Sequence, residues 1–359
     1  ATSQATAEKP CAAGTYQSTT GKSSCIPAEA GNVAPTTKST EQTPCDPGTY
    51  QPKSGQAECL TADDGFYVAK PESISATACE AGTYQPNGGS ISCLKARAGY
   101  FVAKSQATAD KPCALGTYQS KTGQKSCVPA EAGHFVTTSA AKEQEPCDAG
   151  TYQPKTGQSK CLEGGEGYFV ANQGSEDRTA CDEGSFSDSP MNTACVPSQA
   201  GNYVNPDDAT KAVPCPAGTY QPKTKQTSCL PARAGFYVPD EIKVVKKLQL
   251  ACDLGSYQPK AGKSFCLQAG PGSFVAKSAS TTVTDCEPGT FAPSFGSVEC
   301  VDAPAGTFVK YAAATEAQPC DAGTFQASPG ATQCQPAQVG YFVASSGSPL
   351  QTKCPSKTT

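Results

Sequence analysis

The chain has 359 residues, including 21 Cys, 34 Gly and 30 Pro but one His and no Trp. Its 28 basic and 32 acidic side chains leave a net charge of −4, so the broad basic footprint of a nucleic-acid binder is absent. No run approaches the ~18 apolar residues that span a bilayer. A single His removes most His-based metal sites and the Cys-His or Ser-His nucleophile pairs.

The cysteines fall on a grid. One series is Cys11, Cys45, Cys79, Cys113, Cys147, Cys181, Cys215, Cys252, Cys286, Cys320 and Cys354, stepping by 34 residues except for 37 between Cys215 and Cys252. The other is Cys25, Cys59, Cys93, Cys127, Cys161, Cys195, Cys229, Cys266, Cys300 and Cys334, each 14 residues after its partner in the first. A fixed period of this size signals a repeat array rather than a set of globular domains. Spacing alone allows Cys11 to pair with Cys25, or Cys25 with Cys45, and either scheme leaves one cysteine over. The three-residue insertion decides between them. It lies between Cys229 and Cys252, while all ten 14-residue segments keep their length. A covalently closed loop resists insertion more than an open connector does, which favours ten small loops from Cys11–Cys25 to Cys320–Cys334. Each closure is worth roughly 3 kcal/mol in the chain-entropy model. Zinc sites want close C-x-x-C pairs, and none occurs. A disulfide ladder implies an oxidising, extracellular or cell-surface setting.

A smaller period lies inside the larger one. One repeat reads "CEAGTYQPNGGSISCLK" and then "ARAGYFVAKSQATADKP", 17 residues each, with Gly fourth and an aromatic sixth. Such a unit cannot bury a core alone, whereas stacked units bury a continuous stripe, here expected to be the aromatics. Gly and Pro interrupt every window and no 3.6-residue apolar period is sustained, which argues against helix. "GTYQP" and "GYFVA" read as very short strands bounded by turns. The expected fold is all-β and loop-rich, an elongated repeat rod of 34-residue units stapled by small disulfide loops. Its parts are a partial half-repeat over 1–10, seven repeats over 11–238, an insertion-bearing connector over 239–251, three repeats over 252–353 and a partial half-repeat over 354–359. One solenoid turn per half-repeat and a string of separate beads both fit this pattern.

The motif CxxGTYQxxxGxxxC, clearest at residues 147–161 as "CDAGTYQPKTGQSKC", resembles the ephrin-receptor-like cysteine-rich repeat shared loosely with tumour-necrosis-factor-receptor ectodomains. The resemblance recurs ten times and implies that the two cysteines of each motif bond to each other, in agreement with the pairing above. This chain carries Ala or Gly at Ala28, Ala96, Ala130, Gly164 and Ala232, where the family often has a further cysteine. That halves the disulfide density. Fold likeness carries no ligand with it.

The pattern breaks at "FYVPDEIKVVKKLQLAC", where Lys243, Val245, Lys246 and Lys247 form a candidate contact with a neighbour. His134 occupies a variable place beside Gly133 and reads as a surface side chain. Asp63–Asp64 and Asp207–Asp208 lack the spaced oxygen ligands of a calcium loop and read as solvated turns. No Asn stands in an N-x-S/T context. With no catalytic constellation and no cofactor motif, the chain is not expected to be an enzyme. The piece at 354–359 covers the first six places of a half-repeat and 1–10 covers the last ten. Together they suggest a composite unit in which the tail of one molecule meets the head of the next, with Cys354 as a candidate intersubunit cysteine. The sequence thus points to a structural subunit of an extracellular filament, sheath or surface appendage that polymerises head to tail. The alternative is the stalk or binding region of an adhesin or receptor, with a glycan or cell-surface partner.

Overall fold

The computed structural model describes residues 8–240 and 246–355. It contains twenty two-stranded antiparallel sheets and, among the described residues, no helix. Each 17-residue half-repeat folds into one hairpin. In the first, Thr15–Tyr16 pairs with Ile26–Pro27, with Tyr16 opposite Ile26. In the second, Asn32–Val33 pairs with Thr43–Pro44. Local chemistry starts every hairpin. The Thr15 N–H donates to Ala12 O at 3.0 Å across a four-residue turn, and its hydroxyl donates to the same carbonyl at 2.7 Å. Gly14 has φ 89°, which a turn of this type demands at its third place and which glycine alone adopts cheaply.

Successive hairpins are joined by a backbone seam. Gly14 N–H donates to Ala34 O at 2.8 Å and Gln17 N–H to Ser39 O at 3.1 Å, while Lys38 N–H returns to Cys11 O at 3.0 Å. The same three bonds recur one step on, as Gly31 to Gln51, Ala34 to Gln56 and Gly55 to Ala28. Contact also reaches two steps ahead. A Cβ on Gly14 would overlap the Gly55 carbonyl, and one on Gly99 would overlap that of Ala140. Half-repeats of the same class therefore touch directly, every second hairpin lying against the next of its kind. Separate beads on a string are excluded.

The eleventh place of a half-repeat, which supplies that carbonyl, is left-handed in most half-repeats of both classes. It is Gly in most disulfide half-repeats. In the other class it is Gly at Gly174 and Gly347 but elsewhere non-glycine residues take it, among them Lys38 at φ 66° and Glu72 at φ 57°. Lys225, which interrupts the glycine series, also adopts it at φ 56°. Seam hydrogen bonds from this N–H, such as Glu72 to Cys45 O at 3.0 Å, offset the steric cost.

The buried column differs from the expected one. The aromatic rings are mostly only half-buried, as at Tyr16, Tyr50 and Tyr67. The first residue of most half-repeats is instead 0–1% exposed, alternately small and Cys, from Ala28, Cys45, Ala62 and Cys79 onward to Cys320, and Ala34, Ser187, Val238 and Ala292 at the seventh place are as deeply buried. Layers joined by direct backbone hydrogen bonds leave room between them for a methyl or a cysteine sulfur but not for a ring. The rings lie along the flank instead.

Two compact units make up the chain. One is Ala1–Gly164 with Val170–Thr179 and Met191–Thr193, and the other is Gly165–Phe169 with Ala180–Pro190 and Ala194–Thr359. The second contains the longest hairpin, Asn202–Asn205 against Asp208–Pro214, with a register shift between Tyr203 and Asn205.

The seam makes Gly99→Ala and Gly21→Ala unequal. Both glycines are left-handed, but a Cβ on Gly21 meets open space. Gly21→Ala is expected to cost about 1–2 kcal/mol. Gly99→Ala should cost distinctly more and accelerate amide exchange in the hairpins around Ala140, readable by hydrogen exchange with urea titration.

Candidate functional site: the alternating cross-link column

Each disulfide half-repeat is closed by one bond. Cys11–Cys25, Cys45–Cys59, Cys79–Cys93, Cys113–Cys127 and Cys147–Cys161 are joined in the first unit, each 14 residues apart in sequence. Cys181–Cys195, Cys215–Cys229, Cys252–Cys266, Cys286–Cys300 and Cys320–Cys334 follow in the second. Their Cα–Cα distances run from 5.6 to 5.8 Å, the normal span. Each bond ties the start of a hairpin to the residue before its return strand. Cys354 is free and exposed, and its N–H donates to Gly340 O at 2.8 Å, as the column cysteines do to their own glycines.

The half-repeats without a disulfide hold the same backbone differently. In five of them the side chain standing where the second cysteine would be caps the N–H next to the column residue. Gln42 Oε1 accepts from Glu29 N–H at 2.9 Å, and Gln144 Oε1 from Glu131 N–H at 2.7 Å. Gln249 and Gln351 do the same for Arg233 and Gln338. Asp110 accepts from Arg97 N–H at 3.1 Å and is gripped by the Arg97 guanidinium through two bonds of 3.0 Å. The guanidinium carbon also lies 4.1 Å above the centre of the Tyr100 ring. Covalent and hydrogen-bonded closures thus alternate. Aligning the second half-repeat under the first would have exposed these caps, because Gln42, Asp110 and Gln144 stand 17 residues after Cys25, Cys93 and Cys127.

The loop interiors alternate too. In disulfide half-repeats a buried Gln spans the loop. Gln51 Nε2 donates to Glu58 O at 2.6 Å while its Oε1 accepts from Lys53 N–H at 3.2 Å. Gln85, Gln119, Gln153, Gln221, Gln258 and Gln326 repeat the arrangement. In the other class Val68, Val102 and Val136 hold that place, buried in the seam. A valine cannot cross the loop, so a hollow of about 480 Å³ remains inside Phe101–Lys111 and one of about 270 Å³ inside 309–318.

The remaining sequence candidates are scattered. Lys243 and Val245 lie outside the described residues. Lys246 Nζ is 3.5 Å from Asp240 Oδ1, and the Lys246 carbonyl accepts from Gln221 N–H at 2.9 Å, so this residue serves the seam. Lys247 is exposed. His134 Nδ1 lies 3.2 Å from Ala132 O. Asp208 ends the turn of the long hairpin, where the Thr210 hydroxyl and N–H lower its pKa. Among the described residues no three His, Cys, Asp or Glu gather to hold a metal, and no helix is long and apolar enough to cross a membrane.

Residues 250–286 match the family described as tyrosine-protein kinase ephrin type A/B receptor-like. That stretch contains the Cys252–Cys266 loop and Cys286, and its loop geometry is repeated in all ten disulfides. That segment is ephrin-receptor-like. No curated protein matches the chain. The disulfide array and the receptor-like module together indicate a secreted or extracellular protein.

Two tests follow from the alternation. The pair Ala62 and Ala76 occupies the two cysteine places of a half-repeat that has neither staple nor cap. The double variant Ala62→Cys/Ala76→Cys should form an eleventh intrachain disulfide and gain up to about 3 kcal/mol, checked by thiol alkylation with mass spectrometry and by urea titration. The second test uses pH. The hydrogen bonds from Arg97 hold the Asp110 carboxyl below the ordinary carboxylate range despite its burial. Its contribution is therefore complete above about pH 4 and disappears as pH falls through the depressed value. Protection of the Arg97 amide should drop on acidification, whereas that of Glu131, capped by neutral Gln144, should not.

Proposed function

We propose that the chain is a structural subunit of an extracellular filament, sheath or surface appendage, and that it associates head to tail with copies of itself without any catalytic role. The observation that carries this reading is the uniformity of the seam. The same three backbone bonds join hairpins from Gly14 onward, so the face that ends one hairpin suits the face that begins another. A seam that does not close on itself propagates as an open filament. The composite half-repeat expected from the two termini involves residues 1–7 and 356–359, which lie outside the described residues.

The receptor-like match at 250–286 supports a second reading, the stalk of an adhesin or receptor. Electron microscopy of the 359-residue chain without reductant separates the two. Filaments that lengthen with concentration support the structural reading. Particles of single-molecule length at every concentration favour the stalk.

A further inference from the structure

The sixteenth place of each half-repeat directly follows the cysteine or its substitute and pairs across the hairpin with the aromatic. In disulfide half-repeats of the first unit it is Ile26, Leu60, Leu94, Val128 and Leu162, paired with Tyr16, Tyr50, Tyr84, Tyr118 and Tyr152. Four more aliphatic residues, from Val196 to Val301, continue the series in the second unit. All nine are 39–53% exposed.

The other class provides an internal control. There the same place, equally exposed and opposite the same kind of ring, holds Thr77, Lys111 and Glu145. The hairpin therefore does not need an aliphatic residue here. Half-repeats of one class also stack directly on each other. Gly55 lies against Pro27, Gly89 against Thr61 and Gly157 against Pro129. In the first unit the apolar pairs accordingly recur along one side, while Thr, Lys and Glu recur in the other class; in the second unit that class also holds Val213 and Leu250 at this place.

We propose that these pairs form a lateral docking surface for a second copy of this chain. The occupant follows from the period. Side chains that recur every 34 residues, each of modest size, are engaged together only by a partner with the same repeat, which a second copy has by construction. Each aliphatic–aromatic pair exposes on the order of 100 Å². One or two pairs fall far short of a specific interface, whereas the five of the first unit supply on the order of 500 Å² per partner, about 1,000 Å² in total, the lower bound for one. An exposed apolar stripe of that extent marks an interaction site.

The proposal goes beyond head-to-tail growth, and mass per unit length separates the two. End-to-end growth leaves that quantity unchanged, while lateral pairing doubles it. Scanning transmission microscopy of the intact chain, with sedimentation across a concentration series, is expected to show the doubled value. The variant L60T/L94T/V128T/L162T installs at four places a residue that other half-repeats carry natively at Thr43 and Thr77. It should keep its circular dichroism and all ten disulfides yet weaken lateral association by at least about a hundredfold. Single-width particles of the unaltered chain at every concentration would overturn the proposal, as would undiminished pairing by the folded variant. Thr77→Leu, placed on the other class of half-repeat, should leave pairing as it is.

Discussion

The array depends on one close approach between backbones. The carbonyl at the eleventh place of a hairpin occupies the space where the fourth residue of the hairpin two steps earlier would have a Cβ. Glycine is required there twice over, by its left-handed φ and by the absent side chain. With that gap closed, the seam donors and acceptors come within 2.7–3.4 Å of each other. Interlayer space then admits only Ala, Ser, Gly or Cys in the buried column. The long hairpin shows the constraint relaxed. Asp208–Pro214 is a regular strand, and a Cβ on Gly167 would find its nearest neighbour, Ala209, at 3.8 Å.

Seam hydrogen bonds are individually modest, about 0.5–1.5 kcal/mol each, and hairpins with two-residue strands are not stable alone. Stability is therefore a sum of neighbour terms along each unit, as in other repeat proteins. Against that background the alternation of closures has a simple logic. A disulfide restrains one loop in the unfolded chain and does nothing for the next. The intervening hairpin is held by the layers on both sides, so a hydrogen bond such as that from Glu29 N–H to Gln42 suffices. Arg97 and Asp110 provide a charged version of the same closure.

The covalent and periodic features were legible in the sequence because they are written as spacings. The 34-residue grid and the fixed 14-residue loops require no three-dimensional knowledge. Short strands followed from the density of Gly and Pro. The burial of the aromatics did not follow, since hydrophobicity says that Tyr50 should be covered but not that the layers are too close to admit it. The two-step contact was illegible for a different reason. It is made by backbone atoms, and its acceptor residue varies from Gly55 to Glu72 to Ala140. The caps at Gln42 and Asp110 lay between these extremes, visible once the two half-repeats are superposed and invisible in either alone.

The position of the staples also bears on how such a chain behaves under tension. Each disulfide short-circuits 14 of every 34 residues, so pulling on the ends can release only the other 20 in each repeat. At about 3.4 Å per extended residue, a ruptured repeat yields roughly 70 Å of slack instead of about 115 Å. The hydrogen-bonded hairpins give way first, while the stapled loops stay closed until they are reduced. An oxidised array is thus a tether with many small, equal and recoverable increments of length, and the redox state of its surroundings sets how far it stretches.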